Sequence, residues 1–358
     1  MLWSLWPRYY TPMLSVKLSL RKRRGLSLAL AASLLIISGI VAITWGAAGI
    51  PTVAIIKILL GAEGAPETWK TIIFQIRIPR IVLGGMVGMT LAVAGAVYQA
   101  LFRNPLADPY LLGVSSGASF GAALAIYFVW RFSWGGLNAI SLAAFAGAML
   151  ATAVIYFLAR VGGKTPVTTL ILAGVAIGAL LSSATTFLMF TAREAFHTIN
   201  LLGWLMGSLA LADWLRIRTI TPYLAVAFSL IAYYSFALNV LQLDEDQAMA
   251  LGVDVERVRF TIIAAASLAT AAVVSVSGVI GFVGLVIPHI VRILWGSDYR
   301  FLLPMSGILG GICLILADGF IRLLFAPREL PIGVVTAFLG APFFLYLLRR
   351  HKKEIFPF

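Results

Sequence analysis

The chain has 358 residues, of which 61 % are hydrophobic and only 11 % charged, with a mean hydropathy of +0.99. Water-soluble domains run to about 45–50 % apolar and about a quarter charged, so this composition excludes an ordinary soluble fold and leaves lipid as the solvent. Lys and Arg total 27 against 14 Asp and Glu, a formal +13, but in a membrane chain such charges follow the sidedness of the loops, and nucleic acid is not an expected partner.

In chain order, residues 1–25 form a basic amino-terminal segment ending in Arg21, Lys22, Arg23 and Arg24. The apolar run Leu26 to Ala48 follows. At 23 residues it exceeds the roughly 7–15 of a signal-peptide core and lacks a small-residue cleavage site, so it reads as a retained first span. Further runs long enough to cross lie at Ile81–Leu101, Pro109–Trp130, Ala139–Ala159, Val167–Phe190 and Ile220–Leu241. Phe260 to Trp295 is too long for one crossing and is broken near its middle by Ser277, Gly278 and Gly281, so two spans are expected there. Leu302–Phe325 and Ile332–Leu348 complete a set of ten. Ile50–Leu60 and Leu201–Leu211 are too short to cross and read as interfacial or re-entrant helices on the outer side.

The expectation is therefore an all-α polytopic membrane protein with about ten transmembrane helices over residues 26–348, a basic tail at 349–358, and both termini cytoplasmic. With that orientation 17 of the 27 basic residues fall inside, in the sense of the positive-inside rule. The 33 glycines cluster within spans, as at Gly84, Gly85, Gly88 and Gly95, which suits close helix packing in lipid. Cys313 is the sole cysteine and supplies neither an intrachain disulfide nor a multi-thiolate metal site.

Two motif-like strings fail on their chemistry. VGGKT (Val161–Thr165) ends like a phosphate-binding loop, but Leu158 stands where the first glycine is required and a membrane helix precedes it. GVSSG (Gly113–Gly117) has the spacing of a hydrolase elbow around Ser115, yet lies in an expected helix, and none of the three histidines, His197, His289 and His351, has a motif context. A proton-coupled carrier would need titratable groups within the bilayer. Asp318 is the one acid inside a span, and Arg322 at i+4 is placed to neutralise it. The most informative polar stretch is Gln242–Arg259, QLDEDQAMALGVDVERVR, on the inside. Its five acids and the small apolar face of Ala248, Met249 and Leu251 suit brief surface helices, either a solvated connector or a protein contact.

Several strings together resemble one family: RIPR (Arg77–Arg80), GAVYQALFRNPLADPYLLGVSSGAS (Gly95–Ser119), LILAGVAIG (Leu170–Gly178), ALGV (Ala250–Val253), GFVGLVIPHIVR (Gly281–Arg292) and ELPIGVVTAFLGAPFFLYLL (Glu329–Leu348). They look like the FecCD-type permeases of ABC importers for iron-siderophores, haem and cobalamin, over the chain from about Leu26 onward. The resemblance implies a type II importer permease in a bacterial or archaeal cell membrane, working as a homodimer with two cytoplasmic ATPase subunits and an extracytoplasmic binding protein. An iron-siderophore is the first expectation for cargo. By similarity, residues 242–259 are the segment that seats in the ATPase, with Ala248, Leu251 and Gly252 at its close-packing positions. Arg77, Arg80 and Arg322 match arginines that meet carboxylates of the binding protein. Asn104 and Leu106 match the cytoplasmic gate, and Thr168 and Thr169 begin the pore-lining fifth span. The resemblance implies no cofactor, no metal site and no catalysis on this chain; ATP hydrolysis would belong to a partner.

Overall fold

The computed structural model describes residues 10–62, 64–192, 195–243, 245–325 and 328–350. Arg8, Asp244, His351, Lys352 and Lys353, with the rest of the tail beyond Arg350, lie outside the described residues. In chain order the helices are α1 (Tyr10–Thr44), α2 (Thr52–Leu59), α3 (Glu67–Thr71), a π-helical turn (Ile72–Arg77), α4 (Ile78–Leu101), α5 (Val114–Tyr127), α6 (Ala139–Ala159), α7 (Val167–Thr191), α8 (Ala195–Leu205), α9 (Trp214–Tyr233), α10 (Ser235–Val240), α11 (Glu245–Ala250), α12 (Val255–Ser277), α13 (Val283–Trp295), α14 (Tyr299–Leu324) and α15 (Ile332–Arg350). A two-stranded hairpin, β1 (Ser133–Trp134) and β2 (Leu137–Asn138), joins α5 to α6. Gly135 and Gly136 turn it with both residues at positive φ, as a two-residue type I′ turn demands.

Each of the ten expected spans finds a helix. Seven helical stretches are long and apolar enough to cross a bilayer, and α5, α13 and the first part of α15 are shorter apolar ones. The differences have local causes. Helix α1 continues back through Arg21–Arg24 to Tyr10, because Lys and Arg are good helix formers and only the apolar run, not the helix, stops there. The second span starts at Glu67 rather than Ile81: α3, the π turn and α4 are one continuous helix of 35 residues. Pro79 has no N–H to return to the preceding turn, and the ladder widens to π spacing just before it instead of breaking. The sixth span bends at Tyr234, where α9 hands over to α10. Of the Leu201–Leu211 stretch only the first half is helical, as the end of α8; Gly207 then takes positive φ and the chain runs on without helix.

Helices α4 and α12 form the centre. Nineteen of the 24 residues of α4 are buried, and α12 is apolar nearly all round, the pattern of a helix with neighbours on every side. Helix α4 packs on α12, α13, α14 and α9, and α12 on α9, α6 and α5. Close approach depends on glycine. A Cβ at Gly88 would fall on the carbonyl oxygen of Gly310, one at Gly95 on that of Gly284, and one at Gly117 on that of Gly147. Without an apolar driving force in lipid, such backbone contact is how helices gain packing.

Helix α5 spans about 21 Å at 1.5 Å per residue, short of a hydrocarbon core of about 30 Å. The buried stretches around it are not helical, and their polar backbone is satisfied by protein, as it must be at that depth. The Leu112 carbonyl accepts from Thr152 Oγ1 at 3.2 Å. Three interruptions meet at one junction: Ser208 N–H donates to the Ser277 carbonyl at 2.7 Å, and the carbonyls of Gly207 and Met206 accept from the N–H groups of Ile332 and Gly333. Tyr110 Oη donates to the Ile280 carbonyl at 3.0 Å, tying the turn before α5 to the same place.

Candidate functional site

Polar chemistry gathers at the two ends of the bundle. At one end, α1 stops at Thr44 and leaves its last carbonyls without helical donors. Arginines supply them. Arg77 Nη1 donates to the Ile43 carbonyl at 2.7 Å, and Arg322 donates to Trp45 and Ala42 at 3.2 and 3.4 Å, cations at the negative end of a helix dipole. Arg80 faces Asp318 with Nε and Nη2, all three contacts within 3.1 Å, and places Nη1 3.0 Å from Glu329. Arg322 Nε lies 3.0 Å from the second oxygen of Asp318 as an ion pair out of line for a hydrogen bond.

Arg77, Arg80 and Asp318 are 3 %, 7 % and 3 % exposed, so the cluster is buried. The pairing expected within α14 between Asp318 and Arg322 is present but secondary; the main partner of Asp318 comes from α4. With Arg328 these arginines line a cavity of about 250 Å³ in which Glu329 is the one acid among the described lining residues, while Asp318 pairs with Arg80 and Arg322. Four guanidiniums against two carboxylates leave it cationic. The three arginines named from the sequence are thus brought together, and Arg328 and Glu329 join them. Glu329 opens the ELPIGVV string and Arg328 directly precedes it, and neither was given a role from the sequence.

At the other end, α11 is a capped block. The N–H of Val253 donates to the Ala248 carbonyl and that of Gly252 to Met249, the paired bonds of a Schellman terminator, with Gly252 at φ +80°. Ala248 is fully buried beneath it, while Leu251 and Met249 stand 64 % and 48 % exposed. A Cβ at Gly252 would meet open space, so it is the positive φ that calls for glycine there. The three named positions therefore differ: Ala248 anchors the block, Gly252 shapes it, and Leu251 projects from it.

Beside α11 lies a cavity of about 500 Å³ lined by Arg103, Lys164, Thr168, Leu241, Glu245 and Arg259. The Arg259 guanidinium, with Arg103 and Lys164 nearby, holds the Glu245 carboxyl below its ordinary range. Thr168 is exposed toward this space, whereas Thr169 turns inward and donates to the carbonyls of Ala159 and Pro166, both at 2.8 Å. Asn104 accepts from the Leu106 N–H at 2.9 Å, which closes the turn after α4. Glu245 and Glu256 stood out in the sequence only as two of the five acids of the polar stretch, and Arg259 was not singled out; the one signal for their pairing was an Arg three residues after a Glu at the start of an apolar helix.

A cavity of about 650 Å³ opens beside the junction of interrupted helices, with Trp204, Asn200, Ser277, Gly278 and Glu329 on its walls, and Glu329 also borders the arginine cavity. Helix α7 buries only Leu170, Gly174 and Thr185. Its remaining surface mixes exposed Leu172, Val175 and Phe187 with exposed Ser182, Ser183 and Thr186. No group of three or more metal-ligating side chains occurs among the described residues.

Apolar helices long enough to cross a bilayer, interrupted helices meeting within the bundle and a cavity beside that meeting point define a polytopic membrane protein of the permease class. The chain belongs to the FecCD transport family, whose model matches residues 34–350. Among similar proteins, the cobalamin import system permease of Halobacterium salinarum is 45 % identical over 80 % of this chain and 75 % of its own length. An ABC transporter permease of Bacillus subtilis is 39 % identical over 94 % and 97 %, and the hemin transport system permease of Yersinia pestis 40 % over 78 % and 84 %. A solved inward-facing metal-chelate type ABC transporter superposes with a TM-score of 0.81 at 31 % identity, over 91 % of this chain and 99 % of that one. The protein is accordingly a transport component of the ABC permease kind.

Proposed function

We propose that the chain is the membrane subunit of an importer that passes an iron-siderophore-type chelate inward, with haem and cobalamin as the alternative cargoes. In this reading it lies in a bacterial or archaeal cell membrane with both termini cytoplasmic and residues 26–348 as the permease domain, and it pairs with a second copy. Two cytoplasmic ATPase subunits seat against residues 242–259, and an extracytoplasmic binding protein docks over the arginine cluster. The mixed polar and apolar exposure of α7 supports a helix that faces a passage, beginning at Thr168 and Thr169, with Asn104 and Leu106 at its cytoplasmic gate.

The observation that carries the proposal is the shape of α11. A six-residue helix locked by a Schellman terminator, anchored by buried Ala248 and projecting Leu251 and Met249, suits a rigid block for another protein to grip. The arginine cavity adds a cationic recess fit for a carboxylate, where forked guanidinium pairing gives orientation and salt-sensitive docking. The test replaces Leu251 and Gly252 with bulky acids. The expected variant inserts and folds but neither co-purifies with the ATPase nor supports uptake; normal co-purification with normal uptake would overturn the proposal. Uptake by the intact complex, measured with a ferric siderophore, haem and cobalamin in turn, selects the cargo.

A further inference from the structure

One buried network at the α11 end joins three separate pieces of chain. Arg259, on α12 and only 4 % exposed, donates from Nη1 to the Thr165 carbonyl at 2.8 Å and to Glu256 Oε1 at 2.6 Å, and from Nη2 to Glu245 Oε1 at 2.6 Å. Glu256 in turn accepts from the Thr165 N–H at 3.1 Å and from Thr165 Oγ1 at 2.8 Å. Glu245 is the first residue of α11, and Glu256 lies in the first turn of α12. Thr165 is fully buried and is followed directly by Pro166, the N-cap of α7. A single guanidinium therefore fastens the projecting block, the helix behind it and the entry to α7.

We propose that Arg259 is the positioning residue through which a displacement of α11 reaches α7. This rests on the reading of α11 as the ATPase contact and of α7 as a passage-lining helix. The physical reason is stiffness. Charge-assisted bonds of this length are the strongest polar contacts a side chain makes, and a forked guanidinium fixes direction as well as distance. The Arg259 guanidinium is the buried member and its two carboxylates are partly exposed, so each bond that parts takes away compensation that the buried charge needs, which favours the three elements moving together. The turn after Gly252 is a weaker connection, since it passes force only along the backbone into α12 and not to α7. The 500 Å³ cavity, bordered by Pro166, Val167 and Thr168, gives the start of α7 room to shift.

The experiment uses the full complex in liposomes, with the ATPase and binding protein, and reads substrate moved per ATP hydrolysed together with co-purification of the ATPase. Glu245→Gln removes the charge of the partially exposed member and tests the link without threatening the fold; Arg259→Gln and the double variant complete a cycle. The expected result is retained co-purification with a drop of about fivefold or more in substrate per ATP for each single variant. The double variant should be no worse than Arg259→Gln, because both act on one link. A merely structural role would lower transport and hydrolysis together and leave their ratio unmoved. An unchanged ratio in Glu245→Gln, loss of co-purification in that variant, or additive effects in the double variant would each overturn the proposal. If the Leu251 and Gly252 variant instead behaves as wild type, it is the reading of α11 that fails.

Discussion

Asp318 stands between Arg80 and Arg322 in a site from which water is largely excluded, and its charge is what permits two guanidiniums to be buried there. Removing one member of a buried ion pair costs about 3–5 kcal/mol, much of it the unpaired partner. Asp318→Asn should therefore destabilise by about that amount, read as lost folded yield or a lowered unfolding midpoint in detergent. Asp108 behaves in the opposite sense. It sits in the turn before α5, where burial pushes its carboxyl up to about 6 while the Tyr110 N–H, donating at 2.8 Å, pulls the other way. The unfolded carboxyl titrates near 3.9, so the folded state holds the extra proton between about pH 4 and 6. That contribution to stability is complete below about pH 4 and is lost as pH rises through about 6. Asp108→Asn keeps the acceptor for Tyr110 and should flatten this part of the melting temperature against pH curve.

Among the elements, the glycines divide by what a side chain would meet. At Gly95 a Cβ would strike the backbone of Gly284, so α4 and α13 would have to separate along the contact. Gly95→Ala should abolish folded insertion, scored by loss of a monodisperse peak in detergent. Gly203, in α8, has open space around its Cα. Gly203→Ala should raise stability by about 0.5–1 kcal/mol from helix propensity alone, read as an increased unfolding midpoint. The contrast separates glycine kept for close approach from glycine that helix packing does not require.

For the molecule as a whole, the proposed function assigns the power stroke to a partner ATPase and leaves this chain the passage. Reconstituted without an ATPase, the chain should not concentrate substrate under any imposed proton gradient; accumulation in sealed liposomes would contradict that. The number of spans, the break between α12 and α13, and the polar stretch that holds α11 were legible in the sequence, because lipid demands long apolar runs and glycine or charge ends them. Helix bounds were less so: the extension of the second span to Glu67 depends on a π turn that apolar counting does not register. Local spacing paired Asp318 with Arg322, four residues away, and could not reach Arg80, which is 238 residues distant along the chain. Residue type and order thus determined a membrane chain of about ten apolar spans and where its most polar stretch lies, since those follow from the solvent; the permease reading came from the resemblance of its motifs. Which charges share a pocket, and that Arg259 binds α11 to the entry of α7, was decided only when α4, α12 and α14 packed, because buried charge must find its partner in space rather than in sequence.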